Sequence, residues 1–285
     1  MKVISANKIR DVVSELCIRA NLVLRKDVLQ ALRMAYLKET NKRAKDILGA
    51  IIKNARIAKR EGLAICQDTG LPVIFLEIGQ DVKIIDDLKQ AVNKVVELGY
   101  KRGYLRNSII RDPLVRGSSK YSPPVIHIDI VRGNKLKITV LPCGFGCENK
   151  TQLKMFNPTA KLNEIKKFII DALKNAGPDA CPPYVVGIGI GGTADYAMFL
   201  AKKVLLRRIT PHFRVGNVYY TRKSVVTLER DLLAEINRLN IGPMGLGGRT
   251  TCLGVNIETC PTHIAGLPIA VNISCHALRS ATKTL

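Results

Sequence analysis

A thiol, an amide, a carboxylate and a hydroxyl stand in one short run, Cys66-Gln67-Asp68-Thr69, ahead of Gly70 and Pro72. A turn needs Gly and Pro but has no need of Cys-Gln-Asp. The run therefore reads either as an Asx-type turn or as a loop that does chemistry. A second concentration is Leu141-Pro142-Cys143-Gly144-Phe145-Gly146-Cys147-Glu148-Asn149-Lys150. Backbone N–H groups bared at such glycines can hold a carboxylate, and a tight turn explains the glycines equally well. The spacing of Cys143 and Cys147 admits zinc, yet no second Cys or His pair stands at zinc-finger spacing. In Ala180-Cys181-Pro182-Pro183-Tyr184 two prolines set the backbone after a thiol; a plain buried cysteine before a strand is the simpler account of that segment alone. Gly187, Gly189 and Gly192 match G-x-G-x-x-G, but no acidic residue follows at the end of a second strand, and Arg207 and Arg208 occupy that region. Close strand–helix packing, or an anion at the helix N-terminus, explains these glycines better than a dinucleotide. The C-terminal stretch holds Gly245 to Arg249, then His263, then Cys275-His276; a lone histidine is usually a surface or satisfied core residue, and nearness to the last cysteine-bearing strand makes His263 the more interesting.

A mixed set of elements must position these residues. Ile9, Val12, Val13, Leu16 and Ala20 recur at helical spacing. Asp27 is placed to cap a second helix carrying Val28, Leu29, Leu32 and Ala35. Thr40 or Asn41 is placed to cap a third, ending at Gly62 in a left-handed C-terminal position. Residues 73–78 read as a strand and 83–101 as a helix. Residues 125–130 and 136–140 read as strands, and Gly133-Asn134 between them suggests a hairpin. Helices are expected at 162–175, 194–207 and 225–239, a strand at 185–190, and short strands over 249–274. The fold class is α/β in the mixed α+β sense: a helical N-terminal region of about residues 1–62, then a mixed sheet flanked by helices, in one domain spanning 1–285.

Composition narrows the function classes. Hydrophobic residues make up 47% of the 285 and charged residues 24%, which excludes a disordered, collagen-like or coiled-coil chain. No apolar run approaches the roughly 20 residues that span a bilayer. Met1 to Ser5 lack a signal-peptide core, and eight cysteines without a C-x-x-C pair argue for reduced thiols, so a cytoplasmic location is expected. The net charge of +22 admits a nucleic acid, an acidic partner subunit or an anionic substrate. The basic residues are scattered, Trp is absent and aromatics are 5%, which weighs against a nucleic-acid-binding protein, the reading from a different class. A zinc protein is a further alternative.

Taken together, the segments resemble the α subunit of class I, iron–sulfur fumarate hydratases and of their relative, L(+)-tartrate dehydratase. The resemblance rests on Cys66 to Gly70, Arg106-Asn107-Ser108, the glycine loop ending in Glu148 to Thr151, Ala180 to Tyr184, Gly191-Gly192-Thr193 and the stretch from His263 to Cys275, all in the family's order. It implies the cluster-binding N-terminal domain of those enzymes. It also implies a 4Fe–4S cluster held by Cys66, Cys181 and Cys275, whose fourth iron acts as a Lewis acid. The reaction implied is reversible hydration of fumarate to malate, within the tricarboxylic acid cycle, or dehydration of tartrate. Gln67 and Arg106 match substrate-binding positions, and a guanidinium fork suits a planar carboxylate. Gly146 matches a loop glycine whose N–H meets substrate. Asp68 and His263 match catalytic positions in the pocket. The family's catalytic base comes from a second domain or β subunit; the resemblance thus implies an α–β hetero-oligomer of α2β2 form, a small dicarboxylate as substrate, and neither nucleic acid nor membrane as partner. An acidic β subunit would complement the +22. The glycine loop departs from the family's Lys-Gly-Gly-Gly-Ser. Here Phe145 replaces a glycine and Cys147 the serine, which leaves open whether Cys143 or Cys147 faces the cluster or is a redox-sensitive neighbour. Cys17, Cys252 and Cys260 read as structural.

Overall fold

The computed structural model describes residues 2–85, 87–209 and 223–285. Its strands are β1 (Lys2–Ser5), β2 (Leu71–Gly79), β3 (Val82–Ile85), β4 (Val125–Val131), β5 (Leu136–Cys143), β6 (Gln152–Phe156), β7 (Tyr184–Ile190), β8 (Cys252–Thr259), β9 (Leu267–Ser274) and β10 (Ala281–Thr284). The α-helices are α1 (Ala6–Leu22), α2 (Lys26–Lys38), α3 (Lys42–Glu61), α4 (Leu88–Arg102), α5 (Phe145–Glu148), α6 (Leu162–Ala176), α7 (Ala194–Lys203) and α8 (Lys223–Asn237). This is the mixed α/β class expected from the sequence. No helix among the described residues is long and apolar enough to cross a membrane. The chain divides into two compact units: Met1–Arg25 with Ala55–Phe145 and Arg279–Leu285, and Lys26–Asn54 with Gly146–Leu278.

In the first unit the sheet order is β10-β5-β2-β4. Ile74, Leu76, Ile138 and Val140 on its strands pack with Ile9, Val13 and Leu16 of α1 and Val92, Val95 and Val96 of α4. The expected hairpin of β4 with β5 does not form. Strand β2 lies between them, parallel to β4 and antiparallel to β5. The chain leaving β2 takes the bonds a hairpin would need: Gly79 N–H donates to Lys135 O (2.9 Å), Gln80 N–H to Val131 O (2.9 Å) and Asp81 N–H to Gly133 O (3.1 Å). Turn chemistry is a local signal, and a third strand with a better apolar row overrode it. Residues 83–85 belong to β3, paired with β1, and the helix begins only after Asp87, whose Oδ1 accepts from Gln90 N–H at 2.9 Å.

In the second unit the order is β6-β9-β7-β8. Val186, Ile188, Val255, Ile257, Val271 and Ile273 pack with Ile169 and Leu173 of α6 and Leu232 and Ile236 of α8. A Cβ on Gly187 or Gly189 would collide with the carbonyls of Ala201 and Ala197 in α7, so these glycines serve close strand–helix packing. Helix α7 stops at Lys203 and tightens into a 3-10 turn, short of the expected Arg207. Asn41 Oδ1 caps α3 through Ala44 N–H (3.2 Å). Asp27 does not cap α2: it lies in the helix's first turn, where its carboxylate accepts from Ile209 N–H at 2.9 Å.

Candidate active site

The Cys66 loop belongs to the first unit. It follows Gly62, which takes the expected left-handed conformation at φ +67°, and it leads into β2. Buried Ile65 anchors its start, donating to Asn21 O at 3.0 Å. Cys66 and Asp68 are half-buried, while Gln67 is exposed. Asp68 is bonded on both oxygens: Oδ1 accepts from Gly70 N–H (2.9 Å) and Oδ2 from Phe145 N–H (2.8 Å). The first bond makes an Asx turn; the second fastens this loop to the glycine loop. Gly70 has φ +74°, and a Cβ there would press on the backbone of Cys143 at 2.8–2.9 Å. Both constraints demand glycine.

Thr69 is buried and ties the same loop to Arg106: its Oγ1 accepts from Arg106 N–H (3.0 Å) and its carbonyl accepts from Tyr100 O–H (3.0 Å). Burial holds the Tyr100 phenol protonated, well above the usual range. The Arg106 side chain is exposed, fixed at its backbone with the guanidinium reaching out. Thus Asp68, Thr69, Arg106 and Gly144-Phe145 converge although they stand far apart in sequence. Arg279 completes the set. It is only 4% exposed, and donates from Nε to Asn21 Oδ1 (3.2 Å) and from its terminal nitrogen to Asp68 O. Sequence reasoning missed Arg279; its position shortly after Cys275 in an otherwise apolar stretch was the available signal.

The remaining candidates belong to the second unit. Cys181 follows a 3-10 turn over Gly177–Ala180 and takes a left-handed φ of +50°. Its carbonyl accepts from His276 N–H (3.3 Å) and lies 3.0 Å from His276 Nδ1, which joins the Cys181 turn to the segment after β9. Cys275 opens that segment, and its Sγ accepts from Ala277 N–H at 3.4 Å. Cys147 is buried in the same place, donating to Ala180 O at 3.3 Å. A hydrogen bond with Cys275, then burial, push its thiol far above the usual range. Cys147 is accordingly a protonated neighbour of Cys181 and Cys275. Cys143 belongs to the first unit, half-buried, with its thiol 3.7 Å from Leu141 O.

Gly146 is exposed within the single turn of α5. Behind it Glu148 takes two 2.6 Å bonds from Lys202, and Asn272 Nδ2 donates to Thr151 Oγ1 at 2.7 Å. His263 is exposed on a turn held by Thr262 Oγ1 donating to Gly192 O (2.9 Å). Its Nδ1 accepts from Ala265 N–H (3.2 Å), so the neutral ring carries its proton on Nε2, away from that bond. A Cβ on Gly191 would collide with Cys260 O, which explains a glycine where this turn crosses the end of β7.

None of the eight cysteines is in a disulfide. Among the described residues no three His, Cys, Asp or Glu side chains are grouped to hold a single metal ion. Cys66, Cys181 and Cys275 are half-buried, stand on turns, and offer soft sulfur donors. Such a donor set suits an iron–sulfur cluster and not a hard cation. Buried Cys17 and Cys252 differ: burial pushes both up to about 12, as expected of structural thiols. An open surface cavity of about 440 Å³, lined by Leu162, Lys166, Ser224, Thr227, Leu228 and Asp231, includes none of the candidate residues.

Comparison with known proteins agrees with the ordered motifs. The model of the Fumerase family, described as fumarate hydratase, matches residues 10–284. A protein of Methanocaldococcus jannaschii, provisionally named L(+)-tartrate dehydratase subunit alpha, is 41% identical, covering 98% of each chain. The L(+)-tartrate dehydratase subunit alpha of Escherichia coli K12 is 28% identical over 98% of this chain and 91% of its own. That of Shigella sonnei is similar to the same degree.

Proposed function

The chain belongs to the Fumerase (fumarate hydratase) family of hydro-lyases, and we propose that it is the α subunit of a two-chain, cytoplasmic enzyme that adds water across the double bond of a four-carbon dicarboxylate, and removes it in reverse. The observation that carries this reading is the family match over residues 10–284 together with half-buried cysteines, none in a disulfide, at positions 66, 181 and 275. We assign those three cysteines as the ligands of a 4Fe–4S cluster. When bound, its open iron supplies Lewis-acid polarisation of the hydroxyl that leaves or enters.

The chain's own residues have separate tasks. Arg106, held at its backbone by Thr69 and free to reach outward, grips a substrate carboxylate through its planar fork. Gln67, exposed next to Asp68 in the Cys66 loop, donates or accepts at a second oxygen. The N–H of Gly146 meets the other carboxylate. Asp68, bonded through both oxygens, keeps the loop in one conformation and orients the proton-transfer group. His263, protonated at Nε2, donates a hydrogen bond to the reacting end. The base and further cations come from the β subunit, so this chain alone is inactive.

Fumarate is the first substrate to test. L(+)-tartrate is the second reading, favoured by the names of the M. jannaschii and E. coli relatives. The experiment is iron and acid-labile sulfide analysis after anaerobic reconstitution, with the visible spectrum before and after air. About four of each per chain is the expected content, lost in Cys66→Ala, Cys181→Ala and Cys275→Ala and kept in Cys147→Ser. Zinc without sulfide, or full clusters in all three ligand variants, would overturn the assignment. The reconstituted chain with its acidic partner is then assayed with fumarate and with L(+)-tartrate.

A further inference from the structure

Strand β4 is an edge strand, hydrogen-bonded to β2 alone among the described strands. A strand bonded on one side directs half of its N–H and C=O groups outward, ready to template another strand. Protein edges are ordinarily blunted by Lys, Pro, Gly bulges or short length. Strand β4 runs through Val125-Ile126-His127-Ile128-Asp129-Ile130-Val131 with none of these, and its one carboxylate is Asp129. Val125 is 42% exposed, Ile128 58% and Ile130 71%.

The strand is also a palindrome in chemical type. About Ile128 it reads Ile, then His or Asp, with Ile beyond and Val at each end. Antiparallel pairing about a two-fold axis through Ile128 sets Val125 against Val131, Ile126 against Ile130, His127 against Asp129, and Ile128 against itself. Every residue then meets its complement, as an isologous interface requires. The parities agree with the sheet. Ile126, Ile128 and Ile130 stand beside Ile74, Leu76 and Ile78 of β2, on the face packed by α1 and α4, and Ile126 already contacts that core. Pairing would continue this apolar row across the axis. On the opposite face Asp129 stands beside Glu77, which Lys137 pairs at 2.9 Å, and His127 stacks on Phe75, so the two-fold axis sets the imidazole of each copy against the Asp129 of the other.

We propose that two copies of this chain associate through antiparallel β4–β4 pairing centred on Ile128, joining their four-stranded sheets into one. This contact is independent of the chemistry proposed above, and it supplies the α–α contact of an α2β2 assembly.

Sedimentation of the full chain tests it. The unaltered protein should run at twice its 31.4 kDa mass. Ile128→Lys sets two ammonium groups together on the axis and should run as one copy, with an unchanged far-UV circular dichroism spectrum. His127→Asp opposes two carboxylates twice and should weaken association on the order of tenfold. The double variant His127→Asp with Asp129→His restores the complement and should restore the dimer. A single-copy mass for the unaltered chain, or an unchanged dimer in Ile128→Lys, overturns the proposal. So does a monomeric chain whose Ile128→Lys variant fails to retain the β subunit, since the edge would then belong to that partner.

Discussion

Arg279→Met should loosen the Cys66 loop, and the size of the effect follows from two hydrogen bonds. The Arg279 side chain donates to Asn21 Oδ1 and to the carbonyl of Asp68. Methionine matches its length and apolar stem but offers no donor. Asn21 is 1% exposed, so its oxygen loses a partner where water has little access. An unsatisfied buried acceptor costs about 1–3 kcal/mol, and the half-buried Asp68 carbonyl adds about 1 kcal/mol more. The sum is about 2–4 kcal/mol, a large share of a typical stability of about 5–15 kcal/mol. With a urea slope near 3 kcal/mol per M, the unfolding midpoint of the first unit should fall by about 1 M. Asn21 also carries Ile65 on its own carbonyl, which couples the loss directly to the residue before Cys66. In the cluster-free chain, iodoacetamide should therefore alkylate Cys66 faster in Arg279→Met than in the unaltered protein, with Cys260 as the internal reference. A cycle with Asn21→Ala should return a coupling of at least about 0.5 kcal/mol between the two side chains. A midpoint shift under about 0.2 M, with unchanged Cys66 labelling, would refute the view that Arg279 fastens this loop.

Other outcomes are equally definite. Gly189→Ala should unfold the second unit or reduce its yield severely, because the added methyl meets the Ala197 carbonyl. Gly62→Ala, with nothing within 4 Å of the added methyl, should cost only the left-handed strain of about 1 kcal/mol. Thermal or urea denaturation of both variants decides this. Stability should also fall at alkaline pH. Burial pushes Cys17 and Cys252 up to about 12 from 9.0, so the folded state keeps them neutral while the unfolded chain ionises them. Their contribution is complete below pH 9 and is lost between pH 9 and 12, at about 1.4 kcal/mol per pH unit for each thiol. Urea midpoints at pH 8 and pH 10.5 measure the slope, and Cys17→Ala and Cys252→Ala should each flatten it.

Much of the local structure was legible in the sequence. Helices α1, α3, α6 and α8 declare themselves by apolar spacing, and Gly62 marks the end of α3. With no acidic residue following, the glycines around β7 were left two uses, close packing or an anion at a helix N-terminus; Gly187 and Gly189 serve the first, since a Cβ on either would meet a carbonyl of α7. The errors share one origin. Gly133-Asn134 carries every local mark of a hairpin turn, yet β2, some fifty residues earlier, takes the place between β4 and β5. Asp27 carries the mark of a cap, yet its carboxylate serves Ile209 from far along the chain. Local propensity amounts to about a kilocalorie per residue, and a buried apolar row or a long-range charged hydrogen bond outweighs it.

The sequence by itself determined the family and the list of candidate residues, because residue type and order survive without coordinates: the cysteine, arginine and glycine motifs stand in the family's order, and some glycines stand where no Cβ fits. The tertiary structure decided which of them act together. It joined Asp68 to Phe145 and Thr69 to Arg106, fastened the loop with Arg279, and set Cys147 beside Cys181 and Cys275 as a protonated neighbour. Those pairings depend on burial and on donors and acceptors brought together by strand order. No spacing along the chain encodes them, since contacts across dozens of residues form only after the sheets have chosen their neighbours.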